Sequence, residues 1–115
     1  LLGRDTHAVQ ANRLACAQQL AQQLQVICVL KGSGSVVAAP GHTPVINPTG
    51  NARLATAGTG DVLAGLLGAR LAAGQEAFTA TCGAVHQHGL AADRWLPDRD
   101  GPLTASGLAR RLSRC

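Results

Sequence analysis

Asn47–Gly65 reads NPTGNARLATAGTGDVLAG. Asn47 to Gly60 is rich in Asn, Pro, Thr and Gly and carries no helical or alternating apolar pattern. Long structureless loops are uncommon inside compact domains and are usually functional. From Asp61 the pattern turns helical. Val62, Leu63, Leu66, Leu67 and Leu71 are apolar positions of a helix running to about Ala73, and Gly74 ends it as a C-cap glycine does. Glycines in Ala57-Gly58-Thr59-Gly60-Asp61 let backbone amides approach a ligand without side-chain obstruction. A helix N-terminus adds unpaired N–H groups and partial positive charge, which favour phosphate oxygens. Ala57, Gly58, Thr59 and Gly60 therefore read as an anion hole for a transferring phosphoryl group. Asp61 reads as the base that takes the proton of an attacking hydroxyl. The rival reading is that Asp61 only caps the helix, although a simple cap needs no such loop. The stretch is neither a Walker loop, since no Gly-Lys-Ser/Thr follows, nor a GxGxxG fingerprint.

N-terminal to this joint, Asp5 or Thr6 can cap a helix reaching about Leu24, with Val9, Leu14, Ala17, Leu20, Ala21 and Leu24 as its apolar stripe. Val26–Leu30 is short, continuous and β-branched, as expected of a central strand covered on both faces. Lys31-Gly32-Ser33-Gly34-Ser35 follows as a tight turn. Val36–Ala39 is a second strand, ended by Pro40-Gly41, and Pro44-Val45-Ile46 reads as a short third. The turn lies at the C-terminal end of a strand, the edge where open α/β sheets bind ligands. Lys31 and the two hydroxyls could contact nucleotide phosphates; a plain hairpin with a solvated lysine stays open as the alternative. C-terminal to the joint, a helix is expected from about Gln75 to Trp95. Asp93–Pro102 is polar and turn-like. A last amphipathic helix starts near Thr104 with Leu108 and Leu112 on one face.

The 115 residues suit one domain, and 46% hydrophobic against 14% charged residues implies a packed core. Aromatics are limited to Phe78 and Trp95, so the core is expected to be built from small aliphatic layers. The net charge is +4, but no basic run is interleaved with aromatics, which argues against nucleic acid as a partner. No stretch approaches the roughly 20 apolar residues needed to span a membrane. Cys16, Cys28, Cys82 and Cys115 fit neither a zinc pattern nor CxxC, and the first three read as small buried hydrophobes. Reduced thiols and a cytoplasmic location are expected. His86 and His88 are two apart on a helix, so they form no metal pair and read as solvated or core-edge groups. Asp93 and Asp98–Asp100 read as loop solubilisers or caps. Carboxylates are too few for a dense metal cluster, so any Mg²⁺ is expected to arrive with the nucleotide.

The segments VLKGSGSVVA, GNARLATAGTGDVLAGLLGARLAAG, AVHQHGLAAD and GPLTASGL together resemble the dehydratase domain of the ADP-dependent NAD(P)H-hydrate dehydratase family, in the ribokinase-like superfamily. The resemblance covers nearly the whole chain and is strongest over Gly50–Gly65. Arg53, Leu54 and Thr56 stand where the family has a Met-rich loop. The resemblance implies an α/β fold: the C-terminal portion of a ribokinase-like three-layer αβα fold, its sheet flanked by helices. Residues 1–115 would then be a partial dehydratase domain, because the family domain is more than twice as long. The implied activity is dehydration of the S form of hydrated NADH or NADPH, with ADP (or ATP) as co-substrate, Mg²⁺, and release of AMP and phosphate. Lys31, Gly32, Ser33, Gly34 and Ser35 match the segment that binds the AMP part. Gly60 matches a further nucleotide contact, Asp61 matches the residue that faces the hydrated nicotinamide, and Asn51 is a candidate loop contact. A shortened domain leaves a sheet edge uncovered, so a homo-oligomer is expected. A superfamily small-molecule kinase and a non-catalytic nucleotide-binding fragment are the competing readings; VLKGSGS and HGLAAD favour the dehydratase.

Overall fold

Helix α1 runs from Thr6 to Leu24 and stops at Gln25, whose φ of 53° is left-handed. The Val26 N–H returns to the Ala21 carbonyl at 3.2 Å, satisfying one of the carbonyls a helix end leaves open. The computed structural model describes residues 6–32 and 34–113, with side chains from Asn12 onward. Asp5, Ser33 and the side chain of Val9 lie outside the described residues. The chain divides into two units, Leu1–Asn47 and Pro48–Cys115.

In the first unit, β1 (Cys28–Leu30), β2 (Val36–Ala38) and β3 (Val45–Ile46) form an antiparallel sheet in the order β1-β2-β3. Leu30 pairs with Val36 across the first hairpin, and Val36 pairs with Ile46 across the second. The central strand is therefore β2, with Val36, Val37 and Ala38 fully buried. The expectation that Val26–Leu30 is central is corrected for the described residues: among them β1 lies at the edge of the sheet, half-buried and starting at Cys28. An unbroken apolar run does not distinguish edge from centre, and here Val26 is still occupied with closing α1. α1 packs on β1 and β2 through Ala17 and Ala21, which bury against Val36 and Ala38 with Leu14, Cys28 and Leu30 beside them. Alanines at the contact let the helix axis come close to the sheet. The expected stripe is narrower than its sequence suggests, since Leu20 and Leu24 stay exposed.

In the second unit, the loop contains a 3₁₀ turn at Ala52–Ala55. Helices α2 (Thr59–Ala72), α3 (Ala77–Asp93), α4 (Pro97–Asp100) and α5 (Ala105–Leu112) follow. Gly74, with φ 93°, ends α2 as expected, and the Gln75 N–H returns to the Arg70 carbonyl at 3.2 Å. Glu76 caps α3 through bonds of 2.9 Å from the Phe78 and Thr79 amides, and Thr104 caps α5 by accepting from Gly107. The segment read as a plain turn contains α4, one helical turn with Pro97 at its start, where a missing N–H is harmless.

The core of this unit joins Ala91, Ala92, Trp95, Leu103, Leu108 and Leu112, with Leu54, Val62 and Leu66 against it. Trp95 donates its indole N–H to the Gly101 carbonyl at 2.8 Å, and the Arg111 guanidinium lies 4.5 Å over its ring. Arg111 also pairs with Asp100 at 3.2 Å, and Asp100 accepts the Leu96 N–H at 2.9 Å. The Leu96 amide, with Arg111 beside it, holds the Asp100 carboxyl below its ordinary range. The cysteines depart from expectation: Cys16 is exposed, while Cys28 and Cys82 are only half-buried. Burial, with Glu76 nearby, pushes the Cys82 thiol up.

Two outcomes follow for stability. Leu108 is fully buried, so Leu108→Ala should lower the unfolding free energy by about 2–5 kcal/mol in denaturant titrations. Because the folded Asp100 carboxyl is depressed, its stabilising contribution is complete above the unfolded value and fades as pH falls through the folded one. The stability difference between the protein and Asp100→Asn should thus be level above about pH 5 and shrink below about pH 4.

Candidate functional site

The loop begins against α3. Thr49 Oγ1 donates to the His86 carbonyl at 3.1 Å, the Gly50 N–H donates to Asp93 Oδ2 at 3.0 Å, and Asn51 Nδ2 donates to Asp93 Oδ1 at 3.0 Å. This approach depends on Gly89. A Cβ there would collide with Thr49 Oγ1 and come within 2.9 Å of the Gly50 nitrogen. Gly50 itself has φ 102°, a left-handed value that favours glycine. Asn51 then accepts the Arg53 N–H at 2.9 Å and so caps the 3₁₀ turn. Both ends of the Asn51 amide are thereby engaged within the protein.

The loop ends at Gly58, the N-cap of α2, with φ 88°. The helix starts at Thr59 and not at Asp61 as the apolar pattern alone suggests, because Thr59 and Gly60 are helical without being apolar. Of the four residues read as an anion hole, Ala57 and Gly58 are exposed, Gly60 is half-buried and Thr59 is buried. The Thr59 side chain points back into the protein, its hydroxyl 2.6 Å from the Leu54 carbonyl and 3.0 Å from that of Thr56. Its backbone N–H reaches only the Thr56 carbonyl, at 3.4 Å. The amides of Gly60 and Asp61 stand in the first turn, where helix geometry supplies no carbonyl partner. These backbone groups, rather than the threonine hydroxyl, are what the site can offer an anion.

Asp61 is exposed and sits in the first turn of α2, three residues past the cap. Its carboxylate makes no hydrogen bond or ion pair among the described residues. The capping alternative therefore does not hold: the cap is Gly58. A negative group in the first turn is favoured by the helix dipole, and the Asp61 side chain is open to solvent there.

His88 is buried, and its Nε2 lies 2.9 Å from the Thr59 carbonyl. A carbonyl only accepts, so Nε2 carries the proton in this bond. The sequence pattern alone makes this histidine solvated or core-edge, and Asp93 a solubiliser or cap; both instead hold the loop. Their signal in the sequence is HGLAAD, in which Gly89 and Asp93 stand one helical turn apart. Arg70 of α2 adds a tie to α3 through Gln87 Oε1 at 2.6 Å.

In the first unit, the Lys31–Ser35 turn closes the β1–β2 hairpin. Gly32 and Gly34 have φ values of 148° and 70°. Ser35 Oγ donates to the Gly32 carbonyl at 3.2 Å. Arg13 of α1 holds the turn from behind, donating to the carbonyls of Leu30, Lys31 and Gly34 at 3.2–3.3 Å. Sequence reasoning missed Arg13, which nothing local marks as a partner of the turn. Lys31 is exposed, and Ser33 lies outside the described residues. Among the described residues no three His, Cys, Asp or Glu side chains gather to hold a metal ion, and no helix is long and apolar enough to cross a membrane.

Known proteins match this chain in sequence and in fold. A family model described as NAD(P)H-hydrate dehydratase matches residues 1–114. An ADP-dependent (S)-NAD(P)H-hydrate dehydratase of Neisseria meningitidis serogroup B is 44% identical over 93 residues, covering 81% of this chain and 31% of that protein. A bifunctional NAD(P)H-hydrate repair enzyme of Escherichia coli is 42% identical over 93 residues, which make up 18% of its own length. The crystal structure of the ADP/ATP-dependent NAD(P)H-hydrate dehydratase of Bacillus subtilis, co-crystallised with ATP/Mg²⁺, superposes with a TM-score of 0.83 at 36% identity. That match covers 98% of this chain and 41% of the other. A ribokinase-like superfamily protein of Enterococcus faecalis superposes with a TM-score of 0.77 at 32% identity, over 88% of this chain and 35% of its own. The α/β, ribokinase-like fold expected from sequence is thus the fold of its structural neighbours, and the chain spans about a third of the first relative's length. With the family model covering nearly every residue, the chain belongs to the NAD(P)H-hydrate dehydratase family.

Proposed function

We propose that this chain carries the proton-accepting and phosphate-facing part of an ADP-dependent (S)-NAD(P)H-hydrate dehydratase. The observation that supports it most is Asp61, an exposed carboxylate with no partner among the described residues, set in the first turn of α2 beside backbone amides that helix geometry leaves open. The substrate is NADH or NADPH whose nicotinamide ring has gained water and so bears a hydroxyl. Asp61 takes the hydroxyl proton as the oxygen attacks the terminal phosphorus of ADP. The new P–O bond forms as the bond to AMP breaks, and AMP leaves with that bonding pair. The ring now carries a phosphate ester. The ring nitrogen's lone pair expels phosphate, a proton leaves the neighbouring carbon, and the double bond of NADH or NADPH returns. The sum is hydrate plus ADP giving NAD(P)H, AMP and phosphate. The amides around Gly58–Gly60 would stabilise charge on the phosphoryl group during transfer.

In this reading the Lys31–Ser35 turn contacts the AMP part of the nucleotide, and Gly60 makes a further nucleotide contact. The Bacillus subtilis relative was co-crystallised with ATP/Mg²⁺. Mg²⁺ would enter with the nucleotide and would screen charge on its phosphates.

The test is a turnover assay on the full-length protein with hydrated NADH and ADP, following NADH formation and hydrate loss. Nucleotide-dependent NADH formation is expected; its absence would reject the reading. Asp61→Asn should lower kcat by about 10²–10⁴-fold while the nucleotide still binds. Retained turnover in that variant would remove Asp61 from the role of base. The same reading puts the protein in the cytoplasm as a homo-oligomer; sedimentation velocity showing only a monomer at micromolar concentration would remove the second of these.

A further inference from the structure

The reaction outlined above gives no part to three residues of α3, namely His88, Gly89 and Asp93. All three touch the segment that ends in Asp61. Asp93 closes α3, a place where the helix dipole disfavours negative charge. Its two oxygens are divided between the Gly50 N–H and Asn51 Nδ2, each at 3.0 Å. Gly89, one turn earlier, clears the space in which Thr49 and Gly50 lie. His88 holds the far end of the segment by its bond to the Thr59 carbonyl.

We infer that Asp93 is a positioning residue for Asp61, fixing the start of the loop so that the first turn of α2 presents its amides and carboxylate in one place. The connection between them is short. Asn51, held by Asp93, caps the 3₁₀ turn through the Arg53 N–H. Leu54 in that turn receives the Thr59 hydroxyl at 2.6 Å. Asp61 is two residues further along. One helix thus grips the segment at both ends, Asp93 at the entry and His88 at the exit. An acid at a helix C-terminus that serves two loop donors is better explained by the loop than by the helix.

The inference rests on Asp61 being the base, and the experiment separates the two. Asp93→Asn keeps one acceptor for two donors and sets an amide NH₂ against either Asn51 Nδ2 or the Gly50 N–H, donor against donor. The double variant Asn51→Asp, Asp93→Asn reverses the pair. The new amide donates to the new carboxylate, its oxygen still accepts the Gly50 N–H, and the carboxylate's second oxygen still accepts the Arg53 N–H. In the full-length protein, Asp93→Asn should lower kcat roughly 10- to 100-fold, with KM for ADP changed by no more than about twofold. Amide exchange at Gly50 and Arg53 should quicken by about tenfold or more. The double variant should recover both kcat and protection. Unchanged kcat in a folded Asp93→Asn protein would overturn the inference, as would a double variant that regains protection without regaining kcat. If the unaltered protein does not convert hydrated NADH, the proposed function fails by itself. Exchange over Gly50–Asp61 then decides the positioning role, with loss in the single variant and recovery in the double supporting it and an unchanged pattern overturning it. If Asp93→Asn does not fold, the double variant alone carries the comparison: recovery of protection and kcat supports the role, and failure of either overturns it.

Discussion

The backbone of Thr49 and Gly50 lies so close to α3 that position 89 has room only for a hydrogen in place of a side chain. Much of the second unit depends on that contact. It brings the Gly50 N–H and the Asn51 amide within reach of Asp93, which seats the 3₁₀ turn that Asn51 caps. The turn then presents the Leu54 and Thr56 carbonyls to the Thr59 hydroxyl. A long loop normally costs conformational entropy to order. Here the cost is met by hydrogen bonds between groups that would otherwise need water.

The first turn of α2 is distinguished by what the fold leaves unbonded. Gly58 caps the helix without a side-chain bond, so the leading amides are not consumed by a serine or aspartate as in an ordinary cap. Thr59 turns inward onto the Leu54 and Thr56 carbonyls, and Asp61 is exposed in the first turn, where the dipole favours negative charge. The Asp61 carboxylate is exposed and uncommitted to any described residue, whereas the same group at the cap would be committed to its own helix.

The first unit follows a different constraint. Its three strands are short, and only β2 is fully buried. Alanines of α1 set the distance between helix and sheet, and Arg13 of the same helix ties down the carbonyls of the Lys31–Ser35 turn. The turn is held from its carbonyl side by a guanidinium, which leaves the Lys31 ammonium exposed to solvent.

Elements whose signals are local can be read from the amino-acid order alone. Gly74 marks the end of α2 as a C-cap glycine with left-handed φ, α5 begins beside Thr104, and the three strands stand close to where short apolar runs predict them. The joint at Gly58–Asp61 was also legible, since glycines followed by a helical pattern carry their own physical meaning, and the family resemblance follows from contiguous motifs. Tertiary structure decided the rest. Whether β1 is central or at an edge depends on strand pairing, which an apolar run does not encode. Whether Asp61 caps α2 depends on where the helix begins, and polar Thr59 and Gly60 conceal the first turn. That His88, Asp93 and Arg13 hold loops rather than face water depends on partners distant in sequence. Each is a polar side chain whose hydrogen bonds span many residues, and only folding brings donor and acceptor together.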